Sequence, residues 1–368
     1  MVPIAHFSHG ARVGSTIHLG AAAGVDADRR LAGATVGIGD MAAQAEQLFA
    51  NLQLALEALG GAWQDVVKVR TYIVDWRDLP AYESVRSRYL HAHRPAAFTV
   101  GTWGFPLPQI LLETELVASC AGVQRIDADP AAAGGCVRAG DLHYCTAAPD
   151  DGGRAGATPA DAAAQAEQAL RNLSATLERA GLRPQDVAML TVALADVRAL
   201  PVFDAAFRRF FRPPYPARSD VVVPLARAGQ LVELECVAAY TGCRPVGPAT
   251  GRLASPGMLA GDWLFLSACA NGSERDVETQ TRRAWASIAV TLEEGGMTLD
   301  DVVRTNNVLT DWRLYAGFNA GYGVFVSRPY PPRATVHATL ATPGACVQVE
   351  AIAHRQGRDA TVLDAGPR

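Results

Sequence analysis

Three stretches of this chain repeat one pattern. DVVKVRTYIVDW begins at Asp65, DVAMLTVALADV at Asp186 and DVVRTNNVLTDW at Asp301, offsets of 121 and 115 residues. Separate landmarks keep the same offsets: Gln44, Gln165 and Gln280; Gly60, Gly181 and Gly296; Asp75, Asp196 and Asp311; Pro95, Pro216 and Pro331. One spacing held across so many positions marks three copies of one unit. A terminal glutamate (Glu115, Glu235, Glu350) slips by one residue in the first step. The copies run 1–122, 123–243 and 244–355, with a short polar tail, 356–368, expected to fray. Stretches rich in Pro, Gly and small residues around 127–135 and 244–251 mark the junctions.

Each copy reads alike. A strand pair (ARVGSTIHLGAAAG, VRAGDLHYCTAA, MLAGDWLFLSACA) precedes an amphipathic helix; in copy 1 Leu48, Leu52, Leu56 and Leu59 recur at helical spacing before Gly60 stops it. The DV strand, a second helix and two closing strands follow. Such copies predict an α+β class, with helices on one face of a mixed sheet. The other face of each sheet must also be covered. Three sheets wrapped about a common axis into a closed barrel, helices outside, would cover it.

Hydrophobic residues make up 49% of the 368, so disorder is excluded as the main state. A net charge of −4 gives no nucleic-acid footprint. No apolar run is long enough to span a membrane. The first residues, MVPIAHFSHG, lack the basic and apolar regions of a signal peptide, so a cytoplasmic location is expected. The seven cysteines form no CxxC pair and read as buried reduced thiols. Lys68 is the only lysine and reads as a solvated strand residue. Arginine is therefore the expected tool for holding an anion. His91 and His93 have metal-ligand spacing, but no third ligand stands nearby and they read as a solvated helix end; no metal or cofactor is expected.

Each copy carries the strand pattern x-x-G-D-x-x-(F/Y)-x-(S/T) or a relic of it, the DV strand, and a terminal (Glu/Gln)-x-Glu strand. PYPARSDVVV and PYPPRATVHA add Pro-x-Arg-(Ser/Ala)-x-Val. On these motifs the chain resembles the RidA/YjgF family of imine and enamine deaminases, over about 355 residues, once per copy. The resemblance implies three fused RidA-like (chorismate-mutase-like) domains forming an intramolecular pseudo-trimer from a single chain. It also implies a small carboxylate-bearing substrate, with an arginine on the carboxylate and a glutamate positioning the water. A strand hydroxyl, a helix asparagine and an early tyrosine complete the family pocket.

Carried over copy by copy, the arginine is Arg333 in copy 3 and Arg218 in copy 2, but Ala97 in copy 1. The hydroxyl is Ser267, Thr146 and Gly20 in copies 3, 2 and 1; the asparagine is Asn319, with Asp204 and Glu83 as counterparts. The tyrosine is replaced everywhere, by Phe7, Ala133 and Ala254. The expected catalytic residues are thus Glu350 and Arg333 in copy 3 and Glu235 and Arg218 in copy 2. Arg333, Ser267, Asn319, Arg218 and Thr146 are the expected substrate contacts, and copy 3 is the most complete.

A guanidinium with two parallel bonds to the carboxylate would orient a 2-imino acid and withdraw charge from the reacting carbon, while a carboxylate relieves the attacking water of a proton. His337, four residues beyond Arg333, is a candidate acid or base special to copy 3. Two readings compete with hydrolysis or tautomerisation of an imine or enamine: a chorismatase-like hydrolase of a carboxylated enol ether, and a non-catalytic metabolite-binding pseudo-trimer. The glutamates also admit a structural reading, as partners of arginines across copies near the axis.

Overall fold

The computed structural model describes residues 6–35, 39–126, 135–149, 161–227, 229–248 and 251–364. Copy 1 consists of β1 (Ser8–Val13), β2 (Thr16–Ala22), α1 (Met41–Ala58), β3 (Val66–Ile73), α2 (Leu79–Leu90), β4 (Ala96–Gly101) and β5 (Leu112–Ser119). After β6 (Val123–Arg125), copy 2 repeats the plan: β7 (Cys136–Ala139), β8 (Leu142–Ala147), α3 (Ala162–Arg179), β9 (Val187–Leu194), α4 (Leu200–Phe210), β10 (Ala217–Val222) and β11 (Val232–Ala239). After β12 (Arg244–Val246) comes copy 3: β13 (Gly257–Ala260), β14 (Trp263–Ala270), α5 (Val277–Glu294), β15 (Val302–Leu309), α6 (Tyr315–Tyr322), β16 (Arg333–His337) and β17 (Val347–His354). The chain closes with β18 (Thr361–Asp364).

Each copy contributes a mixed sheet. In copy 3 the order is β12-β13-β14-β17-β15-β16, with β15 and β16 parallel and the other pairs antiparallel. A parallel pair needs a crossover, and the second helix supplies it. The repeated residues now have physical reasons. Asp40, Asp161 and Asp276 cap the long helices, each side chain accepting the backbone N–H three residues on. The repeated glutamine anchors the long helix to the loop before the last strand: Gln44 donates to Gln109 O and accepts from Leu111 N, and Gln165 and Gln280 do the same in their copies. Gly60, Gly181 and Gly296 take φ of 73–74° after each helix, where a side chain would be strained. Asp75, Asp196 and Asp311 cap the short turn that leads into each second helix.

The expected frayed tail is corrected for residues 356–364; residues 365–368 lie outside the described residues. β18 pairs antiparallel with β1 of copy 1, and Arg328 holds Asp364 at 2.9 Å. β6 and β12 occupy the same edge position in copies 2 and 3. The tail therefore does for copy 1 what the inter-copy segments do for the next copies. The ring is closed without a covalent link between copies 3 and 1. Of the first junction, residues 127–134 lie outside the described residues, with Ala133 among them.

The closed barrel is corrected too. Three six-stranded sheets face a shared interior, but among the described residues no continuous strand ladder joins one copy's sheet to the next; isolated bridges do, Ser8 with Pro332, Val100 with Leu225, and Val222 with Thr339. Two apolar layers drawn from all three copies fill that interior. One holds Val67, Met189 and Val303, the other Tyr72, Ala193 and Val308. Between them, along the same strands, lies a layer of buried charge. Lys68 donates to Glu235 at 2.9 Å, Arg70 also binds Glu235 and lies 3.5 Å from Glu115, and Arg304 pairs with Glu115. Lys68 is 4% exposed, so its reading as a solvated residue was wrong. Copy 2 places Met189 where copies 1 and 3 have Lys68 and Arg304, and Thr191 where copy 1 has Arg70, so its glutamate depends on copy 1.

Cys136 and Cys145 lie opposite each other in the β7–β8 register and form a disulfide, which corrects the reading of all seven cysteines as reduced thiols. Among the described residues, no helix is long and apolar enough to cross a membrane.

Candidate functional site between copies 3 and 1

The pleat decides what the expected residues can do together. Along β16, Arg333 pairs with Thr305, which pairs in turn with Ala351; Glu350 pairs with Asn306, which pairs with Ala334. Side chains alternate faces, so Arg333 points to the helix face and Glu350 to the shared interior. Arg218 and Glu235 are separated in the same way. Within one copy, the arginine and the glutamate therefore lie on opposite faces of the sheet. Glu235 serves the central charge layer: burial works to raise its carboxyl, but Arg70 and Lys68 overcome this and hold it at about 2. Glu350 accepts a hydrogen bond from Asn306 at 3.2 Å. Pairing with cations of another copy therefore describes Glu235, whereas the partner of Glu350 is Asn306 of its own copy.

The strand hydroxyls also fall in other places than expected. Arg218 of copy 2 meets Ser267 of copy 3: Ser267 Oγ accepts the Arg218 backbone N–H at 2.8 Å and donates to Ser255 O at 2.6 Å. Arg333 of copy 3 meets Gly20 of copy 1, where a Cβ would lie 3.0 Å from Arg333 N and O. Thr146 accepts from Gly135 N at 3.2 Å within copy 2. Arg333 and Ser267 therefore belong to different interfaces, and each hydroxyl is engaged by backbone.

Each interface has its own charge balance. At copies 1 and 2 the arginine is lost, as the sequence indicated. At copies 2 and 3 Arg218 is buried, but it is bound by Asp204 at 2.8 Å and Asp220 at 2.7 Å. A guanidinium already paired with two carboxylates is not free to hold a further anion. Arg333, between copies 3 and 1, is different. It is 5% exposed, and among the described residues no carboxylate lies within ion-pair distance of it. Nη2 donates to Tyr315 Oη at 2.9 Å and to Asn319 Oδ1 at 2.8 Å; Nη1 is buried with no partner. The rings of Phe7, Tyr315, Phe318 and Tyr322 surround it, 4.9–6.0 Å from Cζ. His6 stands nearby with its ring against Tyr330, and burial followed by the Arg333 charge lowers its pKa. A buried cation without a counter-ion is costly, and a bound anion relieves the cost.

Two residues escaped the sequence reading. Tyr315 stands where copies 1 and 2 have Leu79 and Leu200, so a polar change at an apolar repeated position was the available signal. Glu113 opens the Glu-x-Glu pair, whose second member was chosen instead. Burial and then Glu115 push its carboxyl up to about 8; burial raises its copy-2 counterpart, Glu233, to about 7. The copy-3 counterpart, Gln348, reaches across an interface to Asp220 O of copy 2 at 3.2 Å. His337 is held by its own copy, with Nε2 2.9 Å from Thr310 O.

Comparison with known proteins accords with this architecture. The family model described as Endoribonuclease L-PSP matches residues 1–120, 136–240 and 248–355. A RutC family protein of Haemophilus influenzae is 38% identical over 87 residues, 23% of this chain and 67% of that protein. A 2-iminobutanoate/2-iminopropanoate deaminase of Dermatophagoides farinae is 31% identical over 104 residues, 28% of this chain and 78% of that protein. A solved chorismatase superposes on 79% of this chain and 93% of its own with a TM-score of 0.54; at 15% identity this likeness shows the fold alone. Three matches in tandem, on three copies of one α+β unit, make this chain a member of the Endoribonuclease L-PSP family, the RidA/YjgF group, carried three times in one polypeptide.

Proposed function

We propose that this chain hydrolyses a small 2-imino or 2-enamino acid, releasing ammonia, at the interface between copies 3 and 1. The observation that carries the reading is Arg333, a buried guanidinium with an unpartnered Nη1 and, among the described residues, no counter-ion. The 2-iminobutanoate/2-iminopropanoate deaminase among the relatives supports the substrate class.

Arg333 holds the carboxylate and so fixes the adjacent imine carbon. An enamine first takes a proton at C3 to become the iminium; water then adds to the C=N carbon, the C=N electron pair moves to nitrogen, and the carbinolamine loses ammonia to leave a 2-oxo acid. Glu113 is the group suited to moving the protons, because a carboxyl held near 8 exchanges them at neutral pH. The crossing that brings Gln348 to Asp220 would, by the repeat, bring Glu113 of copy 1 against the copy-3 strand that carries Arg333. All three interfaces form within one chain, so the reading needs no second subunit.

The test is ammonia release from freshly generated 2-iminopropanoate. Arg333→Ala should lower kcat/KM by about 10- to 150-fold, the loss of one charge-assisted contact of about 1.5–3 kcal/mol. Arg218→Ala should leave it unchanged. Full activity in Arg333→Ala removes the site assignment. Carboxylate binding without turnover in the unaltered chain points instead to the metabolite-binding reading.

A further inference from the structure

Arg333 offers five N–H donors in one plane. A carboxylate can grip that plane with two parallel bonds along either of two edges, Nη1–Nη2 or Nε–Nη2. Both edges use Nη2, and Nη2 has committed both its hydrogens, one to Tyr315 Oη at 2.9 Å and one to Asn319 Oδ1 at 2.8 Å. Asn319 is itself fixed, since its Nδ2 donates to Tyr315 O at 2.9 Å. The two-bond grip expected from arginine alone is therefore blocked, and Nη1 is left with no partner.

The phenol beside it is differently placed. Tyr315 Oη accepts from Nη2 and keeps its own proton to donate. We propose that Tyr315 is the second half of the anion clamp, so that a ligand carboxylate places one oxygen on Arg333 Nη1 and the other on the Tyr315 hydroxyl. This rests on the reading that the site takes a carboxylate, and it adds the residue that determines specificity for one. The ring is braced for the task. Tyr315 opens α6 directly behind the turn capped by Asp311, and Trp312 packs edge-on to it at 5.5 Å. Trp312 Nε1 in turn donates to Gly104 O of copy 1 at 2.9 Å, which ties the phenol to the partner copy. Leu79 and Leu200 at the matching positions carry no hydroxyl, so only copy 3 can build this clamp.

The experiment is calorimetric titration of the full chain with 2-oxobutanoate and with its neutral amide, 2-oxobutanamide. Tyr315→Phe keeps the ring and removes the hydroxyl; Tyr315→Leu, the side chain already present in copies 1 and 2, is the second variant. The expected result is a fall of about 10-fold or more in affinity for the acid in both variants, with the amide unchanged. If Tyr315→Phe binds the acid as tightly as the unaltered chain, or more tightly because Nη2 is released, the mixed clamp is wrong while the carboxylate site stands. Equal losses for acid and amide would show a merely structural ring and also overturn the clamp. If the unaltered chain binds no 2-oxobutanoate, the carboxylate reading falls and takes this inference with it.

Discussion

Replacing Arg304 by Met tests whether the buried charge layer holds the three copies together. Copy 2 already carries Met189 at this position, so the side chain is compatible with the strand. Arg304 is 1% exposed and its partner Glu115 0%. Removing the cation leaves Glu115 with only Arg70, 3.5 Å away and shared with Glu235. Breaking a buried pair from one side costs about 3–5 kcal/mol. For 368 residues melting together, the unfolding entropy is about 0.8 kcal/mol per degree, so Tm should fall by about 4–6 °C. Adding Glu115→Met removes the stranded charge and should return most of that loss, because an apolar replacement of a buried pair is often neutral or better. Differential scanning calorimetry of the two single variants and the double variant closes the cycle. A shift under 1 °C for Arg304→Met, or a double variant as unstable as the two singles added, would refute the account.

Two further outcomes follow from the site. Asp204→Asn with Asp220→Asn frees Arg218 of its two counter-ions, so calorimetry with 2-oxobutanoate should register a second binding event between copies 2 and 3; unchanged stoichiometry would show that charge is not what silences that interface. Glu113 has a folded pKa of about 8 against an ordinary 4.5, so the fold favours its protonated form and loses stability as pH rises from 4.5 through about 8. The unaltered chain should therefore lose more Tm than Glu113→Gln between pH 5 and pH 8.5, and parallel losses would contradict the raised pKa.

The sequence determined the repeat, the element order in each copy and the loss of the arginine in copy 1. These rest on local signals: offsets, periodicity, and residues such as Gln44 and Asp75 that bond within their own copy. It also showed that the copies have diverged. What it could not carry was parity across strands and partnership across copies. A register of one residue decides that Arg333 and Glu350 face opposite ways, and neither strand's own sequence fixes that register. Whether Arg218 is available depends on Asp204 and Asp220; Asp204 stood out as the counterpart of Asn319, but its pairing with Arg218 appears only in the folded chain. Lys68 and the tail gained their roles only when another copy, 167 residues away for Lys68 and its Glu235, supplied the partner. The three-copy architecture was legible because each copy's core is local. That Arg333 lacks the carboxylate partners that Arg218 has was decided by tertiary structure, because a charge balance is a sum over groups that only folding brings together.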